Sequence, residues 1–122
     1  LQYARMAYGM PTHHQAMLYR RTLLDGLDYN TAYPVAADYA FTCRAVQHAA
    51  RIEYVPWAIS IFEHDELSRQ KINQVRREQY QVRNDLGLCS TWQNSAITTG
   101  QWLADGLRIR ASWLYRRLRS RI

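Results

Sequence analysis

The feature that most constrains this chain is Asp38, a lone carboxylate at the start of an apolar helical pattern that lies between two strand-like runs. It is the only charged residue between Asp28 and Arg44. The strand-like runs are residues 13–19 and residues 51–62, and the second is rich in β-branched and aromatic side chains. Because α/β enzymes often present an acid where a helix begins beside a sheet edge, this order of elements predicts an α/β fold with part of an active site.

Glycines mark the ends of two further elements. A turn of helix is expected over residues 21–27, ended by Gly26. Apolar residues at helical spacing predict a longer helix over residues 68–86, ended by Gly87. A polar loop is expected over residues 90–100, before a basic helix that runs to the end of the sequence.

The size and composition of the chain suit one domain with a single core. It has 122 residues, of which 48% are hydrophobic. No window of the sequence approaches the ~18 consecutive apolar residues that a spanning helix needs. Cys43 and Cys89 show neither metal-ligand nor redox spacing, so we expect two reduced thiols, as in a cytoplasmic protein. The domain is expected over residues 1–88, with the polar loop and the basic helix over residues 89–122.

Asp38 has a structural and a functional interpretation. As the N-cap of a helix over residues 39–50, it would stabilise that helix by ~1 kcal/mol. As a general base, it would use the helix N-terminus, which favours the ionised carboxylate, and its apolar neighbours, which keep competing water away. Both interpretations can hold at once.

The histidines are candidates for binding roles. His13 and His14 are adjacent in a predicted strand, so their side chains are expected on opposite faces, which disfavours a metal site made by the pair. His64 is flanked by Glu63 and Asp65, whose oxygen atoms suit a hard cation. The alternative for this second group is an exposed acidic turn before a helix.

The C-terminal arm carries most of the net charge. Residues 101–122 contain six arginines and one aspartate, so 6 − 1 gives +5 of the total of +6. Tryptophans and leucines alternate with these arginines, a pattern that suits an anionic membrane surface. The residues expected to contact that surface are Arg110, Trp113, Arg116 and Arg117.

Two alternatives to membrane contact remain for the arm. One is an ordinary helix that packs on the domain with solvated arginines. The other is a small basic module that binds nucleic acid, since arginine and aromatic residues can contact phosphates and stack on bases. Nucleic acid is the less favoured partner, because the aromatic residues do not cluster with the charges and no nucleic-acid-binding signature occurs.

Short motifs occur in a recognisable order along the first two thirds of the chain. They are Met-Pro-Thr-His-His-Gln-Ala-Met-Leu-Tyr-Arg-Arg at 10–21, Tyr-Pro-Val-Ala-Ala-Asp-Tyr at 33–39, and Ile-Ser-Ile-Phe at 59–62, which ends before Leu67-Ser68. This order resembles the C-terminal half of the bacterial family 2 glycosyltransferases, especially enzymes that build exopolysaccharides of the colanic acid kind. The resemblance implies that residues 1–88 are the acceptor-side half of a GT-A glycosyltransferase domain.

The resemblance also implies an activity and a set of site residues. The activity is inverting transfer of a sugar from a nucleotide sugar to a saccharide acceptor, which would be lipid-linked, at the cytoplasmic face of the plasma membrane. Asp38 would be the catalytic base, His14 and Gln15 would bind the acceptor, and His64 would lie near the diphosphate and its divalent metal, Mg²⁺ or Mn²⁺.

The sequence departs from that family in two respects. Asp65-Glu66-Leu67 stands where family members commonly carry a glycine pair. No Asp-x-Asp motif or glycine-rich phosphate loop occurs in the 122 residues. We therefore expect the half that binds the nucleotide and the metal to be missing from this sequence, and the chain alone to be inactive.

Overall fold

A computed structural model of the chain describes residues 3–61 and 71–119, and every regular element among these residues is helical. Two short 3₁₀ helices come first, and four α helices follow them in chain order. The 3₁₀ helices are Tyr3–Tyr8 and His14–Ala16, and the α helices are α1 (Arg21–Leu24), α2 (Ala37–His48), α3 (Ile72–Asp85) and α4 (Thr91–Arg119).

The predicted α/β fold is wrong, because no strand occurs in the part of the chain that the structure describes. The first predicted strand, over residues 13–19, contains a 3₁₀ helix instead. In the second, residues 51–61 form no regular element, and Tyr54 and Ile61 are almost fully exposed. Residues of high β-propensity are favoured in strands because they pack against the side chains of a neighbouring strand. The described part of the chain contains no such strand for these residues.

Three of the predicted helices are confirmed by the structure. α1 ends shortly before Gly26, whose φ is +82°, and α3 ends before Gly87, whose φ is +59°. At Gly87 the amide of Leu88 donates to the carbonyl of Arg83 at 3.0 Å, which is the Schellman arrangement that a left-handed glycine permits. α2 occupies nearly the predicted residues, and its buried side chains lie on more than one face, as its apolar pattern indicates.

The polar loop predicted over residues 90–100 is wrong, because α4 begins at Thr91. The side chain of Gln93 accepts hydrogen bonds from the backbone amide and the hydroxyl of Ser90, at 3.0 and 2.9 Å. This is the reciprocal half of a capping box, in which the residue three positions on satisfies the N-cap amide. Polar composition at this point therefore marks a helix start. No helix among the described residues is long and apolar enough to cross a membrane.

The first turn of α2 is capped by a side chain from α3. The Asp38 side chain makes no cap hydrogen bond, because it lies inside the helix and Ala36 holds the N-cap position. Instead, the buried carboxylate of Glu78 accepts from the amides of Val35 and Ala36 at 2.8 and 2.7 Å. The predicted capping role of Asp38 is therefore wrong, and its carboxylate is available for other contacts.

The apolar core gathers around α2. Its largest cluster joins the first 3₁₀ helix, α2, α3 and the turn before α4, and it includes Met6, Tyr39, Cys43, Val82 and Leu88. The Cys43 side chain is fully buried, and this burial raises the pKa of its thiol to about 12. A smaller cluster on the other side of α2 contains Leu27, Phe41 and Ala45.

A buried arginine joins three segments of this core. Arg83 has no exposed surface, and its guanidinium donates to the Ala7 carbonyl at 3.2 Å. It also donates to the side chains of Asn94 and Thr98, at 2.5 and 2.8 Å. Since a buried charge is tolerated only when it is hydrogen-bonded, these contacts fix the first 3₁₀ helix and α4 against α3.

We expect Arg83→Met to lower the free energy of unfolding by about 2–4 kcal/mol, because it leaves several buried acceptors without a donor. Urea unfolding followed by circular dichroism measures the change. Arg77→Met is the matched control, since Arg77 is exposed on the same helix, and it should change the free energy by less than about 0.5 kcal/mol. Equal effects of the two substitutions would contradict a structural role for the buried guanidinium.

Candidate active site

A surface pocket of about 350 Å³ lies where the second 3₁₀ helix, the start of α2 and α3 meet. His13, His14 and Asp38 all line it, so the prediction that the two adjacent histidines lie on opposite faces of a strand is wrong. Val75 contributes an apolar wall from α3, and Gln79 contributes an amide one turn further along that helix. The pocket therefore combines one acid, two imidazoles and apolar surface, as sites for small polar ligands commonly do.

His14 and Asp38 form a pair at this pocket. The Nδ1 atom of His14 lies 3.1 Å from the Oδ2 atom of Asp38. Their side chains are 41% and 42% exposed, so solvent or a ligand can reach both groups. A carboxylate beside an imidazole in an accessible pocket is a candidate to accept a proton from a bound hydroxyl.

Local structure explains how the pair is positioned. The second 3₁₀ helix is closed by the amides of Ala16 and Met17, which donate to His13 and His14 at 2.9 and 3.0 Å. Asp38 lies in the first turn of α2, where the helix dipole favours negative charge. The cap that Glu78 supplies from α3 fixes this turn, so the position of the carboxylate depends on the packing of α2 against α3.

Tyr29, which no sequence motif marks, is coupled electrostatically to Asp38. Partial burial raises the pKa of the Tyr29 phenol, and the charge of Asp38 and a side-chain hydrogen bond to it raise that pKa further. The ring of Tyr29 stacks on Phe41 with centroids 4.6 Å apart and planes 5° from parallel. Tyr29 falls in an irregular segment, where no periodic pattern distinguishes it from an ordinary loop tyrosine.

Of the other predicted site residues, the structure describes the side chain of Gln15 alone, and Gln15 does not join this pair. Gln15 belongs to the same 3₁₀ helix as His14, but it is exposed and is not among the residues that line the pocket. His64 lies outside the described residues. The residues predicted to contact a membrane are Arg110, Trp113, Arg116 and Arg117. They lie in α4, and the structure describes only their backbone.

The described residues do not form a site for the divalent metal that the sequence resemblance implies. Across residues 3–61 and 71–119, no three His, Cys, Asp or Glu side chains come together as metal ligands. The pocket itself offers one carboxylate and two imidazoles, whereas Mg²⁺ takes near-octahedral oxygen coordination. These residues do not fit the ion, and no chemical step is assigned to it here.

Comparisons of this chain with models of protein families, with curated proteins and with solved structures find no match.

We expect Asp38→Asn and His14→Gln each to change the free energy of unfolding by less than about 1 kcal/mol, because half-exposed polar contacts contribute little to stability. Urea unfolding of each variant measures this change. Glu78→Ala is the contrasting variant, since it removes a buried cap with two backbone hydrogen bonds and should cost about 2–3 kcal/mol. A loss at Asp38 as large as that at Glu78 would show that the pair is structural.

Proposed function

We propose that this chain provides the acceptor side of a sugar-transferring enzyme, with Asp38 as the base that activates the acceptor hydroxyl. The single observation that carries the proposal is the 3.1 Å contact between His14 and Asp38 at an accessible pocket. The motif order around these two residues resembles that of bacterial family 2 glycosyltransferases. The contact between His14 and Asp38 and the proton transfer assigned to Asp38 do not require a β-sheet, which the described residues lack.

The chemistry asked of Asp38 is a single proton transfer. The acceptor oxygen attacks the anomeric carbon of a nucleotide sugar, and the bond from that carbon to the diphosphate oxygen breaks. The diphosphate leaves with the bonding electrons, while the hydroxyl proton passes to the carboxylate of Asp38. A positioned base of this kind typically contributes about 10²–10⁴-fold to the rate.

His14 acts in this proposal as a positioning residue. Its Nδ1 atom contacts one carboxylate oxygen of Asp38, so the imidazole fixes the rotation of the carboxylate and directs the other oxygen. Because the carboxylate is 42% exposed, it would otherwise sample several rotamers in water. Holding a reacting group in one geometry lowers the entropic cost of reaching the transition state.

The donor nucleotide sugar belongs, in this proposal, to a part of the enzyme outside the described residues. The sequence lacks the Asp-x-Asp motif that would hold Mg²⁺ or Mn²⁺ with the diphosphate. We therefore expect no turnover from the 122-residue chain alone. Metal-dependent transfer by this chain with any member of a nucleotide-sugar panel would overturn that expectation.

Asp38→Asn, made in the longer enzyme to which we assign this chain, should lower kcat by at least about 100-fold, because the amide cannot accept the proton. Transfer of radiolabelled sugar measures kcat, and titration of the nucleotide sugar measures donor binding, which should stay unchanged. Asp25→Asn is the matched control, since Asp25 is exposed at the end of α1 and is not a pocket residue.

His14→Gln, tested in the same assay, separates positioning from structure. We expect kcat to fall by less than in Asp38→Asn, with the donor dissociation constant unchanged. Full activity of Asp38→Asn would reject the assignment of the base. An equal loss in Asp25→Asn would show that the effect is not specific to the pocket.

A specific observation supports a second function, the binding of an anionic membrane surface by α4. Asp105 forms an ion pair with Arg76 of α3, at 2.9 Å, and this contact directs one side of α4 toward the domain. At about 3.6 residues per turn, Trp92, Leu103 and Leu107 share the opposite side. All three are exposed, between 65% and 72%.

The charge of α4 matches such a surface. Its sequence contains five arginines and one aspartate, so 5 − 1 gives a net charge of +4 over Thr91–Arg119. Each basic residue near anionic lipid contributes ~1 kcal/mol to binding, and apolar side chains add their burial in the interface. We propose that α4 lies on the cytoplasmic face of the plasma membrane, near a lipid-linked acceptor.

We expect the chain to sediment with vesicles of phosphatidylserine and phosphatidylcholine, but not with phosphatidylcholine vesicles alone, and salt should weaken the binding. The double variant Leu103→Ser, Leu107→Ser should bind at least about fivefold more weakly, because it removes apolar contact without changing charge. Leu18→Ser is the matched control, since Leu18 is 80% exposed outside α4. Salt-sensitive binding of RNA or DNA, with none to the vesicles, would favour the nucleic-acid alternative.

A further inference from the structure

We propose that the outward face of the Tyr29 ring binds a pyranose ring of the acceptor, next to Asp38. This inference rests on the proposed function, because it places the acceptor sugar at the same carboxylate. It assigns a binding residue that the sequence motifs do not contain. Three properties of Tyr29 favour this role: the ring on which it stacks, the exposure of its other face, and its proximity to Asp38.

The ring of Tyr29 has a rigid support on one face. It lies parallel to Phe41 at a centroid distance of 4.6 Å, and Phe41 is buried in the small cluster beneath α2. The edge of Tyr19 contacts Phe41 at 5.6 Å with planes 83° apart, and the Tyr19 hydroxyl lies 3.2 Å from the hydroxyl of Thr42. The stack is therefore held in place before any ligand arrives.

The opposite face of the same ring points away from this support. Tyr29 remains 52% exposed although one face is covered by Phe41. An aromatic ring left open to water on a fixed base loses little conformational entropy when it binds a ligand. The exposed ring is thus a flat surface supported by Phe41, and Tyr29 is not one of the residues that line the pocket.

A sugar ring suits this surface and its neighbour. One face of a pyranose presents C–H groups, which are attracted to the negative face of an aromatic ring, while its hydroxyls project from the edge. Phe41, on which Tyr29 stacks, lies one turn after Asp38 on the same side of α2, so the ring of Tyr29 lies near the carboxylate. A pyranose stacked on Tyr29 would therefore bring a hydroxyl to the base.

A neutral sugar is favoured over a nucleotide at this place. A nucleobase can also stack on tyrosine, but its phosphates would approach the negative charge of Asp38. The contacts recorded for Tyr29 involve Phe41 and Asp38, whereas the nearby cation of Arg44 donates to the carbonyls of Asp28 and Gly26 at 3.2 and 3.5 Å. The acceptor saccharide, which carries no diphosphate at its reacting end, avoids this repulsion.

The test uses the 122-residue chain and three neutral probes, the methyl pyranosides of glucose, galactose and mannose. Nuclear magnetic resonance titration measures the dissociation constants and detects ring-current shifts of the sugar C–H protons. We expect at least one probe to bind, with Tyr29→Leu weakening it by about three- to tenfold and Tyr29→Phe retaining the ring-current shift. Tyr54→Leu is the control, since Tyr54 is 90% exposed in another segment, and it should bind normally.

The outcomes separate this inference from the proposed function. Absence of ring-current shifts with every probe, or equal weakening in Tyr29→Leu and Tyr54→Leu, would overturn the sugar platform whatever Asp38 does. Displacement of the sugar from Tyr29 by uridine monophosphate, with tighter binding of the nucleotide, would also overturn it. Sugar binding at Tyr29, combined with full activity of Asp38→Asn in the longer enzyme, would support the binding site and reject the catalytic role.

Discussion

The arrangement of the helices depends on the hydrogen bonds that the buried guanidinium of Arg83 donates. Its acceptors are neutral groups on the first 3₁₀ helix and on α4, so it ties both segments to α3 without a counter-charge among these contacts. α3 also carries Glu78, whose carboxylate caps α2. Arg83 therefore fixes α3 within the core, and Glu78 fixes the start of α2 against α3. The position of Asp38 and the shape of the pocket depend on these contacts.

The sequence predicts an element correctly where residues within that element determine where it begins or ends. Gly26 and Gly87 end helices because they adopt left-handed backbone conformations there. The strand predictions failed because β-branched and aromatic residues do not carry the identity of their partners, and the described chain supplies no neighbouring strand. Ser90 and Gln93 have the spacing of a capping box, which indicates the start of α4. Polar residues are also typical of loops, and for this reason the prediction of a loop over residues 90–100 is wrong.

The candidate site could be predicted only in part. Asp38 was conspicuous as an isolated charge, and His14 as part of a motif, but their contact joins segments that are distant in sequence. Glu78 was indistinguishable from a solvated helix residue, although it is 5% exposed and replaces the expected cap. Tyr29 depends on a stack with Phe41 that only the tertiary structure reveals. Long-range pairing of polar and aromatic groups is the information that a single sequence does not display.

Because Cys43 is buried, chemical labelling of its thiol can report local opening of the core. Since the thiol is inaccessible and burial raises its pKa to about 12, almost no reactive thiolate is present at neutral pH in the closed state. A thiol reagent can modify this residue only during openings of the core cluster around α2, whereas Cys89 is partly accessible without them. The slow phase of labelling thus measures how often the core around the helix that carries the candidate base opens.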